Sequence, residues 1–218
     1  MAVLAFGLTA CAYPISLEDR FYQTAFYDEE DEREERLLKR STDMVLFIEG
    51  GTEADHDHIR LISGQIAEAT GLKVTETHDS SKANVRIRFA TEEQWDDYMR
   101  KRVERGLPFL SQFQISCSVG VSRRDGGDLF FFVHIPQKHP PAERRACIAQ
   151  ELGHTTGLTN DVNGAHDSVF GDWAGSSELT EVDYKLLRIL YDPRLRHGMS
   201  WEEAKPHVQA IIEEIEAE

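Results

Sequence analysis

One stretch constrains this chain more than any other: Cys147-Ile148-Ala149-Gln150-Glu151-Leu152-Gly153-His154-Thr155-Thr156-Gly157-Leu158-Thr159-Asn160-Asp161. As a helix it sets Gln150 and His154 one turn apart on a shared face, with Glu151 beside them. Gly157 follows where a helix end favours a left-handed residue, so the chain turns sharply there. Pro140-Pro141 precede the helix, with proline in the first turn where its missing N–H costs little.

Two imidazoles one turn apart with an intervening Glu, H-E-x-x-H, form the zinc-binding helix of many peptidases, in which the Glu is the general base. The longer pattern H-E-x-x-H-x-x-G-x-x-H adds a turn at the Gly and a third ligand beyond it. Glu151, His154 and Gly157 fall in that register, while Gln150 stands for the first His and Asn160 for the third ligand. The frame is kept and the ligand set is incomplete. Neutral amides are poor zinc donors. Asp161, one residue off the spacing, and His166 or Asp167 on the following loop complete the candidate donors. A hydrogen-bonded polar cluster of Gln150, Glu151 and His154 without metal accounts for the same residues. If the pattern holds, Gln150→His raises zinc affinity and Asn160→His raises it further.

The rest of the chain reads as one domain. At 218 residues with 40% hydrophobic and 29% charged residues it is a globular protein able to bury a core. Its net charge of -15 argues against a nucleic-acid partner, which needs a basic footprint. Ser16 and Asp19 cap a helix expected to continue through the acidic stretch to Leu38. Met44 to Ile48 is a buried strand, and a helix with Ile59, Ile62 and Ile66 on one face spans 53–70. Val74 marks a short strand, and Val85, Ile87 and Phe89 alternate with arginines in another. Thr91 and Gln94 form a capping box for a helix carrying Trp95, Tyr98 and Met99. Asp125-Gly126-Gly127-Asp128 between 115–121 and 129–135 signals a hairpin. Thr180 with Asp183, and Ser200 with Glu203, open two further helices, the last with Pro206 as an expected break. His134 and His139 are expected at the surface, and His56, Asp57 and His58 as solvated groups at a helix start.

Leu8-Thr9-Ala10-Cys11 closes an apolar run and resembles a lipobox, where the Cys is acylated. No Lys or Arg precedes the run, and a true start codon upstream would explain that. On this reading residues 1–11 are a lipoprotein signal remnant and the chain sits in the periplasm or at the outer membrane, held by a lipid anchor on Cys11. Such an oxidising compartment permits a disulfide between Cys117 and Cys147, with two buried thiols as the alternative.

C-I-A-Q-E-L-x-x-x-x-G-L-x-N-D, D-S-V-F-x-D and L-T-x-x-D-x-x-L-L-x-x-L-Y-D-P-R-L-x-x-G-M resemble a family of bacterial envelope proteins catalogued as domain of unknown function 2927. A wider similarity is to metzincin zinc peptidases, with Phe170 where their Met-turn carries Met. The resemblance implies an α+β, zincin-like fold: a mixed, mostly antiparallel sheet with a central active-site-type helix and a C-terminal helix. In that layout 12–42 is an N-terminal helical segment and 43–218 the zincin-like domain with its helical tail. Three functions stay open: a lipoprotein whose degenerate metal site binds a protein or cell-wall partner, an active zinc metallopeptidase with Glu151 as general base, and a purely structural domain. Zinc is the only cofactor that these residues suggest.

Overall fold

A computed structural model describes residues 15–27, 36–104, 117–123, 129–171 and 176–218. The 1–11 segment with Cys11, the acidic stretch 28–35 and the turn Asp125–Asp128 lie outside them. The elements run α1 (Leu17–Phe26), β1 (Met44–Glu49), α2 (Glu53–Thr70), β2 (Val74–Glu76), β3 (Val85–Ala90), α3 (Glu92–Glu104), β4 (Ser118–Arg123), β5 (Leu129–Pro136), α4 (Pro141–His154), α5 (Glu181–Tyr191) and α6 (Trp201–Glu216).

The five strands form one sheet in the order β2-β1-β3-β5-β4. β1 is parallel to both β2 and β3, and β3 is parallel to β5; β4 alone runs antiparallel, against β5. The mostly antiparallel sheet expected from sequence is therefore corrected to a mostly parallel one in a mixed α/β fold. The reason lies in the connections. A tight turn reverses a strand, whereas a helical crossover returns the chain to the same end of the sheet. β4 and β5 follow each other closely in sequence and pair antiparallel, whereas α2 carries the chain from β1 back to the parallel β2.

The sheet has two unlike faces. Met44, Leu46, Val85, Ile87, Phe89, Phe131, Val133 and Ile135 point to the main core, which Ile59, Ile62 and Ile66 of α2, Ile148 and Leu152 of α4, and Leu186 and Leu190 of α5 complete. The opposite face carries Phe47, Glu49, Arg86, Arg88, Phe132 and His134, and α3 covers part of it through Trp95 and Met99 packed on Ala90. Tyr98 of α3 stacks on His134 at 4.4 Å, so His134 is half-buried, contrary to the surface position expected. Burial and the Arg88 charge, against Glu49, push its pKa down to about 4.

Two helix readings change. α1 ends at Phe26, and its Phe21, Ala25 and Phe26 enter the main core, with Tyr22 and Phe26 against Trp201 of α6. Pro206 does not break α6, which runs through it to Glu216. Near a helix start, a residue without N–H gives up at most one ladder bond, and Val208, Ile211 and Ile215 bury the rest of the helix.

Candidate functional site

The site is built on α4, and its two ends are held differently. Toward the N-terminus, Arg144 Nε donates to Asp55 Oδ1 at 3.0 Å, with both side chains largely out of water. Asp55 also closes the capping box of α2 with Thr52. Burial pushes the Asp55 carboxyl up, but the bonds from Arg144 and Thr52 together hold it below the usual carboxylate range. One turn on, Cys147 is bridged to Cys117 at the start of β4, with Cα atoms 5.8 Å apart. The bridge ties the sheet's edge strand to the site helix.

Past His154 the chain leaves the helix in a turn that Thr155 and Thr156 complete, their hydroxyls donating to Leu152 O and Gly153 O. Gly157 then passes the backbone of Leu38 so closely that a Cβ would lie 2.2 Å from Leu38 O, at φ +117°. No other residue fits there. Thr159 and Asn160 turn toward α1: both backbone amides donate to Thr24 O, and Asn160 Nδ2 donates to Gln23 O at 3.3 Å. Asn160 is thus held by α1 and not brought to the site, because beyond Gly157 the helical spacing no longer applies.

Asp161 returns to the site. Gln150 Nε2 donates to both of its oxygens, at 2.9 and 2.8 Å, and His154 Nε2 lies 3.2 Å from Oδ1. His154 Nδ1 lies 2.6 Å from Leu158 O. A carbonyl only accepts, so Nδ1 carries a proton, and the contact of Nε2 with Asp161 is a hydrogen bond when one proton lies between the two atoms. The geometry is that of a histidine–carboxylate contact whose carboxylate is also held by the Gln150 amide. His154 is 1% exposed and Asp161 31%, so the carboxylate is the group that meets solvent. Glu151 is buried on the same helix.

Under this cluster runs the 162–171 loop. The Phe170 ring sits 5.4 Å from the His154 ring and fills the space beside Gly153, where a Cβ would approach it to 2.8 Å. The loop is fastened by Asp183, which is fully buried, accepts from the Ser168 hydroxyl and the Val169 amide, and closes the capping box of α5 with Thr180. Burial pushes its carboxyl up, against those hydrogen bonds. Arg20 of α1 pairs with Asp167 at 2.7 Å and lowers its pKa. His166 is exposed, and its charge acts on Asp167 beside it. In the sequence Asp183 reads only as a cap and Arg20 carries no signal, because its partner Asp167 lies 147 residues away.

Residues 15–210 match the family described as "Protein of unknown function (DUF2927)". The chain belongs to that family. The match bears out the family resemblance read in the sequence, and it takes in α1, the whole sheet, α4 and the 162–171 loop. No curated protein matches the chain. In this DUF2927 chain the donors fit a zinc centre poorly. Catalytic zinc takes three protein ligands from His, Cys or carboxylate. Here His154 and Asp161 face each other, and the third group is an amide whose nitrogen, not its oxygen, is turned to the carboxylate. Among the described residues, no cluster of three His, Cys, Asp or Glu could hold a metal.

Proposed function

We propose that the chain is an envelope lipoprotein whose zincin-like domain has exchanged metal chemistry for binding of a protein or cell-wall partner beside α4. The observation that carries this reading is the Gln150 amide bonded to both oxygens of Asp161, which uses as acceptors the atoms a metal would need. A second feature supports binding. β4 is a sheet edge, bonded to β5 on one side only among the described residues, and Val121 on it is 50% exposed. An open edge offers backbone groups to an extended chain, and the Cys117–Cys147 bridge keeps this edge beside the site helix. The lipid anchor is assigned to Cys11 and the location to the periplasm or outer membrane.

Metal analysis of protein purified without chelators tests the reading: zinc well below one per chain is expected. Stoichiometric zinc, with peptide hydrolysis lost in Glu151→Gln, would replace it with the metallopeptidase reading. For the partner, a photo-crosslinking residue at Val121 in the cell is expected to trap an envelope component, and Cys11→Ser to release the protein from the membrane fraction.

A further inference from the structure

The sheet face turned away from α4 carries a feature that the reading above does not use. In register across three strands stand Phe47 of β1, Arg86 of β3 and Phe132 of β5, and Gly120 of β4 continues the row. The Arg86 guanidinium lies between the two rings, 5.6 Å from the Phe47 centroid and 5.9 Å from that of Phe132. Its Nε is out of water with no hydrogen-bond partner, and among the described residues no carboxylate pairs with it. Its neighbours are differently disposed: Arg88, two residues along, is paired with Glu49 at 2.9 Å. Many of the chain's other cations, such as Arg20, Arg144, Arg188 and Arg194, are paired with acids. Phe132 is 37% exposed, and a Cβ added at Gly120 would meet nothing within 4 Å, so the ring's outer side is open.

We propose that this row is a docking site for a protein segment carrying one acidic side chain next to an aromatic one. With Nε occluded, the two terminal nitrogens are what the guanidinium has left for a partner, a fork that matches the two oxygens of a carboxylate. The flanking rings hold the guanidinium plane and keep water from it, which strengthens the ion pair. The gap over Gly120 accepts the aromatic neighbour against Phe132. The row crosses four adjacent strands of one sheet, about 14 Å at the usual strand spacing, whereas small ligands favour concave sites, so the occupant is a polypeptide. The net charge of -15 repels polyanions, so it is a single carboxylate and not an acidic run. The proposal does not depend on the α4 site.

The test uses the folded chain and four blocked peptides, acetyl-Gly-Phe-Asp-Gly-amide, its Glu counterpart, and the Asn and Gln twins, followed by NMR. The acidic peptides are expected to shift the Arg86 and Phe132 resonances saturably, and their amide twins to bind at least tenfold more weakly. Arg86→Gln should abolish the shifts without lowering the unfolding midpoint. Should that variant fail to fold, Gly120→Leu, which fills the open end of the row and leaves Arg86 in place, must block binding alone. Absence of a saturable shift with either acidic peptide, equal binding of the twins, or displacement by inorganic phosphate as effective as by peptide would each overturn the proposal.

Discussion

The two ends of α4 differ in how they are held. Its first turns are clamped by the Arg144–Asp55 ion pair and by the bridge from Cys147 to β4. Its last turn has polar contacts to a loop, and that loop is fixed from below by Asp183. The clamp closes on itself and leaves no acceptor toward solvent. The loop end leaves the Asp161 carboxylate partly exposed. A helix anchored at one end and polar at the other is a platform, and any chemistry it does must occur at the polar end.

The largest effect is expected where the loop is fastened. Asp183→Ala strips acceptors from Thr180, Ser168 and Val169 in a buried place. Unfolding by urea should show a loss of about 3–4 kcal/mol, summing a lost cap and orphaned donors. Asp161→Ala, at the partly exposed end, should cost about 1 kcal/mol or less. Equal costs would erase the contrast between a fastened inner end and an open outer one.

Next comes the clamp. Arg144→Met leaves the Asp55 carboxylate buried without its cation, for a loss of about 3 kcal/mol at neutral pH. The Asp55 carboxyl is held below its ordinary range in the folded chain, so the pair's contribution is fully present above that range. It is lost as the pH falls through the lowered folded value. The gap between parent and variant should therefore narrow as the pH drops below about 4. A gap that is constant down to pH 2 would mean the pair contributes packing and not charge.

A smaller effect belongs to the packing under the site. In Gly153→Ala the new methyl meets the Phe170 ring, which must shift, at a cost of about 1–3 kcal/mol. Phe170→Leu in the same chain should recover part of that loss, and a double-mutant cycle measures it. Purely additive losses would show that the ring is not what excludes the side chain.

These contrasts follow what the sequence made legible. The helix read over 53–70 is α2, because its apolar stripe, polar start and terminal Gly71 are all local signals. The boxes at Thr91, Thr180 and Ser200 mark real helix starts for the same reason. Strand direction is not legible in local sequence, because the turn signal before β5 marks only the antiparallel β4–β5 pairing, while parallel pairing depends on crossovers. The placement of Gln150 beside His154 follows from helical spacing. That Asp161, and not Asn160, turns to them depends on α1 holding Thr159 and Asn160, across more than a hundred residues. His58, expected in solvent, is buried and bonds to Ser177 O, again a distant partner.

The last contrast concerns what the polar end lacks. Gln150 already points at the Asp161 carboxylate, one turn from His154. Gln150→His puts an imidazole where the amide is, beside a second imidazole and a partly exposed carboxylate, and so completes the kind of three-ligand set that zinc takes. Helix propensity changes little, so the effect on stability should be the smallest of the series, about 0.5 kcal/mol. Zinc affinity measured by calorimetry should rise tenfold or more over the parent, about 1.4 kcal/mol, and zinc should raise the unfolding midpoint of the variant alone. The sequence pattern suggested that Asn160→His would add to this. The geometry reverses that expectation: Asn160 faces Gln23 of α1, so the second substitution should leave zinc affinity unchanged and cost about 1 kcal/mol for the lost hydrogen bond. A gain in affinity from Asn160→His would mean that the loop can re-form around a metal, and that the hold of α1 on residues 159–160 is weaker than its bonds suggest. No gain from Gln150→His would mean that His154 and Asp161 stay closed on each other, and that the polar end of α4 is as fixed as the clamped one.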